Sequence, residues 1–225
     1  MKSIVLTASL VVALFAWNVQ PANANPASGS LPPESQGAVP ILFDTGAPNI
    51  LDPDFNWRAS DAGIGSYAAD NFLLAAASNV TGVQWYGSYL IPGPLPTDSF
   101  TIRFYAAGGP VPAAGPFATA SLAGPVTRIS TGQFPLGSEL FFYSVEIAPL
   151  GLAGGTAYWM SIANSTGSLW AWAYAPTGST HASGGSPSGP WSEFGARNLG
   201  FRLFGNEVPV AAESKSWGGL KALYH

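Results

Sequence analysis

Apolar and polar positions alternate with a period of two over several stretches of the chain, the pattern of a half-buried β-strand. In Leu140–Ala148, the residues Phe141, Tyr143, Val145 and Ile147 share one face, with Ser144 and Glu146 on the other. In Ser99–Ala106, Ile102 and Phe104 oppose Arg103 and Tyr105. In Thr156–Asn164, Tyr158, Met160 and Ile162 oppose Trp159, Ser161 and Ala163. Shorter β-rich runs extend the series at Val39–Asp44, Tyr67–Ala75, Val80–Ile91, Ala118–Leu122, Val126–Ser130, Leu169–Tyr174 and Leu199–Phe204. Gly and Pro clusters separate them. About ten short strands joined by turns predict an all-β fold, an antiparallel β-sandwich or jelly roll.

The first 24 residues follow a different pattern. Lys2 is followed by an apolar stretch of 14 residues, Ile4 to Trp17, and then by Ala22-Asn23-Ala24. A basic start, an apolar centre and an A-x-A site predict a secretory signal peptide, cleaved after Ala24. The apolar stretch is shorter than the roughly 20 residues of a bilayer span, so the mature chain is expected to have no transmembrane anchor. Residues 25–38 are rich in Pro, Ser, Gly and Ala without periodicity and read as a flexible lead-in. The β-sandwich domain is expected over residues 39–206, and residues 207–225 form a short tail.

Composition narrows the function. The 225 residues include 27 Gly and 20 Pro, in keeping with many turns, and 47% hydrophobic residues, enough for a large core. Only 9% are charged, with 8 Lys+Arg against 12 Asp+Glu and a net charge of −4. That balance argues against a nucleic-acid partner, which needs clustered basic residues. The absence of cysteine removes disulfides, Cys-ligated zinc and thiol catalysis. Asp44, Asp52, Asp54, Asp61 and Asp70 crowd the front of the domain, and the tail alone carries the mature chain's lysines, Lys215 and Lys221.

Four candidate constellations follow. Asp44-Thr45-Gly46 after an apolar run has the form in which aspartic proteases present a carboxylate, but that chemistry needs two carboxylates sharing a proton. The chain has one such string, so Asp44 is expected to end a strand and lead into a turn. Asp52, Asp54 and Asn56 place oxygen ligands at every second position, as a calcium loop does. The EF-hand pattern fails, because Trp57 and Gly63 stand where Gly and Glu are needed, and a structural calcium site of another type is the candidate cofactor. His181, in a small polar loop, has no nucleophile elbow to serve. Trp170, Trp172 and Tyr174 alternate on one strand face, with rings about 7 Å apart. Such a stripe can stack on sugar rings or fill a core, and Ala171 and Ala173 opposite make the aromatic face the inward one. Trp85, Tyr86 and Tyr89 carry the same two readings.

In order along residues 40–176 stand Phe43-Asp44-Thr45-Gly46-Ala47-Pro48-Asn49, Ala69-Asp70-Asn71-Phe72, Thr81-Gly82-Val83-Gln84-Trp85, Asp98-Ser99-Phe100-Thr101-Ile102-Arg103-Phe104-Tyr105, Gly155-Thr156-Ala157-Tyr158-Trp159-Met160-Ser161-Ile162 and Trp170-Ala171-Trp172. This series resembles exported bacterial β-sandwich proteins of the PEP-CTERM-associated type. The resemblance implies an extracellular or surface protein without an assigned catalytic role, in settings of exopolysaccharide or biofilm, and it carries over no catalytic residue. The C-terminus departs from the group's Val-Pro-Glu-Pro, apolar helix and Arg cluster. Here Glu207-Val208-Pro209-Val210 leads to a tail with Trp217, Leu220 and Leu223 at a spacing of three, similar to short Trp-Gly-x-x-Lys endings of other exported proteins. The expectation is therefore a non-enzymatic exported protein at the cell surface or in the matrix. Its expected partners are extracellular polysaccharide or surface components and the export and sorting machinery. A carbohydrate-binding module on the aromatic stripe is the alternative, and a secreted hydrolase the more distant one.

Overall fold

A computed structural model describes residues 39–90, 96–178, 180–195 and 197–209. The leader, the lead-in and all but the first three residues of the tail lie outside the described residues. Among the described residues thirteen strands, numbered in chain order, form two antiparallel sheets, the sandwich that the alternation predicts.

The seven-stranded sheet is organised around β4 (Ser78–Tyr89). Strand β8 (Phe141–Leu152) pairs with one edge of β4. The other edge is shared by β13 (Phe201–Glu207), along Ser78–Trp85, and β10 (Trp170–Ala173), along Gly87–Tyr89. Strands β7 (Thr127–Ser130), β1 (Ile41–Asp44) and β2 (Trp57–Ala59) lie outside β8, β13 and β10 respectively. The six-stranded sheet runs in the order β12 (Trp191–Phe194), β11 (His181–Gly184), β3 (Tyr67–Leu73), β9 (Ala157–Asn164), β5 (Phe100–Ala106) and β6 (Ala118–Thr119).

The alternating apolar residues meet between the sheets. Phe72, Trp85, Ile102, Phe104, Tyr143, Val145, Met160, Ile162, Trp172 and Phe201 belong to one buried cluster. Aromatic rings organise it: Trp85 stacks on Tyr143 at 5.4 Å, and Phe100 meets Trp170 edge-on at 4.9 Å. Gly87 makes room for this packing, since a Cβ there would stand 2.2 Å from Trp170 Cζ2.

Two smaller clusters cover the outer faces. Phe55, Tyr86, Leu140, Phe142 and Ala173 pack with Ala47, Ile50 and Trp57 outside the seven-stranded sheet. Ala69, Tyr105, Trp159 and Ala182 pack with Val111 and Trp191 outside the six-stranded one. A second covered face explains why Phe142 and Tyr105 stand where strict alternation would place polar residues.

The strand map departs from the sequence expectation where the alternation is weak. Strands β2, β11 and β12 are each three or four residues long and lie in acidic or Ser/Gly/Pro-rich segments with no periodic signal. Strand β8 continues through Pro149 to Leu152, beyond the expected end at Ala148. Its register against β4 shifts between Val80 and Gly82, so Pro149 occupies a bulge where no ladder N–H is required. The expected run Ala118–Leu122 is a strand only over Ala118–Thr119, with Leu122 bridging to Ile147.

Candidate functional site

Asp44-Thr45-Gly46 forms a corner between β1 and β13. Asp44 Oδ1 accepts the Gly46 amide at 2.7 Å, and its Oδ2 accepts Arg202 Nε at 2.8 Å. Thr45 Oγ1 lies 2.8 Å from Leu199 O and accepts the Phe201 amide at 2.8 Å. Gly46 takes φ +89°, a conformation that favours glycine. The carboxylate is thus bonded to one amide and one guanidinium, in the turn role expected of it.

The acidic segment closes on an arginine. Arg197 Nη1 lies 2.6 Å from Asp52 Oδ2, while Arg197 Nη2 reaches Asp52 Oδ1 at 3.1 Å and Asp54 Oδ2 at 3.0 Å. The Arg197 hydrogen bond holds the Asp52 carboxyl below its ordinary range. Asn56 Oδ1 accepts the neighbouring Trp57 amide at 2.8 Å instead of turning toward the two aspartates. Of the three calcium candidates, Asp52 and Asp54 therefore meet on the Arg197 guanidinium, which supplies positive charge there, while Asn56 turns to the backbone. Among the described residues, no three of His, Asp or Glu are grouped to hold a metal ion.

The aromatic stripe faces inward. Trp170 and Trp172 are fully buried, with Trp170 Nε1 donating to Tyr143 Oη at 3.3 Å and Trp172 Nε1 to Gly200 O at 3.0 Å. Tyr174 is half-buried against the same core and packs on His181 at 5.1 Å. Of the two readings of the stripe, the core one describes Trp170 and Trp172, whose rings lie between the two sheets and present no face to a ligand, as the flanking alanines suggested; Tyr174 keeps part of its surface exposed. Trp85 and Tyr89 lie in that core too, and Tyr86 packs on the opposite face of β4.

Asp61, Asp70 and His181 are buried, which was not legible in the sequence. Asp70 is fully buried and accepts the amides of Leu199 (2.5 Å) and Asn71 (2.8 Å), and burial raises its pKa well above the ordinary carboxylate value. His181, its register partner on β11, is buried with Nδ1 2.9 Å from Arg197 O. That contact makes Nδ1 the protonated nitrogen, and burial lowers the ring's pKa. Its Nε2 has no partner. The imidazole therefore anchors the Arg197 segment from behind while Asp52 and Asp54 hold its side chain in front.

A cleft of about 580 Å³ is lined by Asp98, Phe100, Leu122, Pro125, Val126 and Arg128, among others. Asp98 Oδ1 accepts Tyr89 Oη at 2.6 Å and Arg128 Nη1 at 3.0 Å. Arg128 also reaches Pro96 O at 3.3 Å, and its guanidinium lies 5.4 Å from the Phe141 ring centroid. Burial, reinforced by the Asp98 hydrogen bond, raises the Tyr89 pKa strongly and keeps the phenol a donor. The cleft thus combines an internally paired Asp98–Arg128 ion pair with apolar walls. Nothing local in the sequence linked Asp98 to Arg128, 30 residues on.

No protein-family model matches the chain, and no curated protein matches it in sequence.

Proposed function

We propose that this chain is an exported, non-catalytic protein that acts at the cell surface or in the extracellular matrix by binding. Export is supported by the charged start, apolar centre and Ala22-Asn23-Ala24 site of the leader. The observation that carries the non-catalytic reading is the use made of the groups best suited to chemistry. Asp44 is bonded to the Gly46 amide and Arg202, and His181 faces Arg197 O from a buried position. Among the described residues, neither hydrogen-bonds to a nucleophile or to a second acid, as general acid–base or nucleophilic catalysis requires. The resemblance to PEP-CTERM-associated proteins points to the same class and to an exopolysaccharide setting. Residues 207–225 are proposed as a sorting or attachment segment, since they bring back lysine, which is absent between Lys2 and Lys215, beside Trp217.

Carbohydrate binding is the second reading, and the cleft at Asp98 and Arg128 favours it over the buried stripe. The test is a panel of peptide and glycoside substrates run alongside polysaccharide titrations. The proposal expects no turnover that Asp44→Asn or His181→Gln abolishes. Turnover lost in either variant, with the fold intact, would establish the hydrolase reading instead.

A further inference from the structure

Most buried polar atoms of the domain are paired, yet one patch on the outer face of the six-stranded sheet collects several that are not. Arg103 Nη1, Tyr105 Oη, Ser161 Oγ and Trp191 Nε1 are all buried without a hydrogen-bond partner. The topology brings them together. Arg103 and Ser161 are register partners on β5 and β9, Tyr105 is two residues along the same face, and its ring meets Trp191 edge-on at 5.5 Å. The Tyr105 and Ser161 hydroxyls lie close enough to interact with each other, which leaves each with hydrogen-bonding capacity to spare. Gly184, opposite Trp191, allows the indole to lie over the sheet, since a Cβ there would be 3.2 Å from Trp191 Cε3.

Leaving a buried donor or acceptor unmade costs about 1–3 kcal/mol each, so such a group marks a place where a partner belongs. The chemistry of the missing partner can be read from the four atoms. Arginine and indole nitrogens only donate, and the two hydroxyls can donate as well. Burial pushes the Tyr105 pKa up to about 12, which keeps its proton on the oxygen. Nothing in the set is an obligate acceptor. Arg103 also differs from Arg128, Arg197 and Arg202, each of which faces an aspartate. Its guanidinium lies 5.8 Å from the Tyr67 ring centroid and forms no ion pair with a carboxylate among the described residues.

We propose that this patch is a binding site for a carboxylate group, held by Arg103, Tyr105, Ser161 and Trp191. A carboxylate offers about four lone-pair sites to match four donors, and its single charge matches one guanidinium. A phosphate dianion would leave a charge uncompensated in a largely buried setting. Trp191 and Arg103 are only half-buried, and Trp191 stands on the edge strand β12, so entry requires movement of side chains at the rim and not of the sheet. The site does not depend on export. A chain that took up carboxylates but stayed in the cytoplasm would sink the proposed function and leave this site standing.

The test is a calorimetric and thermal-melting titration of the whole chain with sodium acetate, sodium glucuronate, sodium phosphate and glucose, at constant ionic strength set with sodium chloride. The proposal expects saturable carboxylate uptake with a concentration-dependent rise in melting midpoint. Uptake of acetate marks a site for the bare group, whereas uptake of glucuronate alone marks one for an acidic sugar; either supports the proposal. Arg103→Leu should weaken uptake by about tenfold or more, as loss of a charge-assisted partner does. Trp191→Phe keeps a ring and removes one donor, so it should weaken uptake severalfold and decides the matter if the Arg103 variant does not fold. No uptake beyond chloride, a preference for phosphate, or carboxylate uptake unchanged by either variant overturns the proposal and leaves the four atoms to water.

Discussion

Replacing Trp172 with alanine separates a core role from a binding role. The side chain is fully buried in β10, meets Phe201 at 5.9 Å and donates to Gly200 O. Truncation removes an indole from between two sheets that have little freedom to collapse, and Trp→Ala changes of this kind cost about 3–5 kcal/mol. The lost hydrogen bond adds little, because Gly200 O also accepts the Tyr86 amide at 3.1 Å and is not orphaned. For a domain of this size about 1 kcal/mol shifts the midpoint by roughly 2–4 °C, so the expected fall is about 6–20 °C. Thermal unfolding followed by far-UV and near-UV circular dichroism measures it, with Trp172→Phe as a control that should recover much of the loss. A Trp172→Ala midpoint within about 2 °C of the parent, together with loss of polysaccharide binding, would refute the core assignment and restore the stacking platform.

Asp61 is fully buried and accepts the amides of Gly63, Gly167 and Trp170, so Asp61→Ala orphans three donors and should cost about 3 kcal/mol or more, read as a lower denaturation midpoint. Arg197 already engages Asp52 and Asp54, so calcium and a chelator should each leave the melting midpoint of the parent chain unchanged. Because the folded pKa of Asp52 is lowered, the stabilisation from this ion pair is present above the unfolded value of 3.8 and lost as pH falls through the folded one; comparing parent and Arg197→Gln midpoints across pH 2–5 tests this. His181 behaves in the opposite chemical sense with the same outcome. Its folded pKa is lowered, so the unfolded ring gains a proton first on acidification and stability falls as pH drops below about 6.5, a slope that His181→Phe should remove from a pH series of midpoints. Asp70, with a raised folded pKa, contributes stability that is full below 3.8 and declines as pH rises toward the folded value, a slope that Asp70→Asn should abolish in the same series.

What could be read from the chain was what repeats locally. The alternation in Leu140–Ala148 placed Tyr143 and Val145 inside, and the alanines flanking Trp172 were enough to turn its ring inward. The turn role of Asp44 followed from its short-range chemistry. The acidic segment was legible as a concentration of charge but not in its resolution, because Arg197 stands 145 residues from Asp52 and only the closed sandwich brings them together. Asp61 and Asp70 were legible only as part of that acidic concentration, yet both are buried, each stabilised by backbone amides. The short strands β11 and β12 escaped notice because their pairing is set by β3 beside them and not by their own residues. The outer-face patch stayed hidden for the same reason: Arg103, Ser161 and Trp191 come from three strands and form a group only through register.

The reading of this chain as an exported binding protein rests first on where it goes. The most direct measurement is the intact mass and N-terminus of the chain recovered from each compartment of cells that produce it. The account predicts a chain beginning at Asn25, recovered outside the cytoplasmic membrane in the surface or released fraction. Recovery of the full chain, with Met1 or its processed neighbour at the terminus and confined to the cytoplasm, would contradict it.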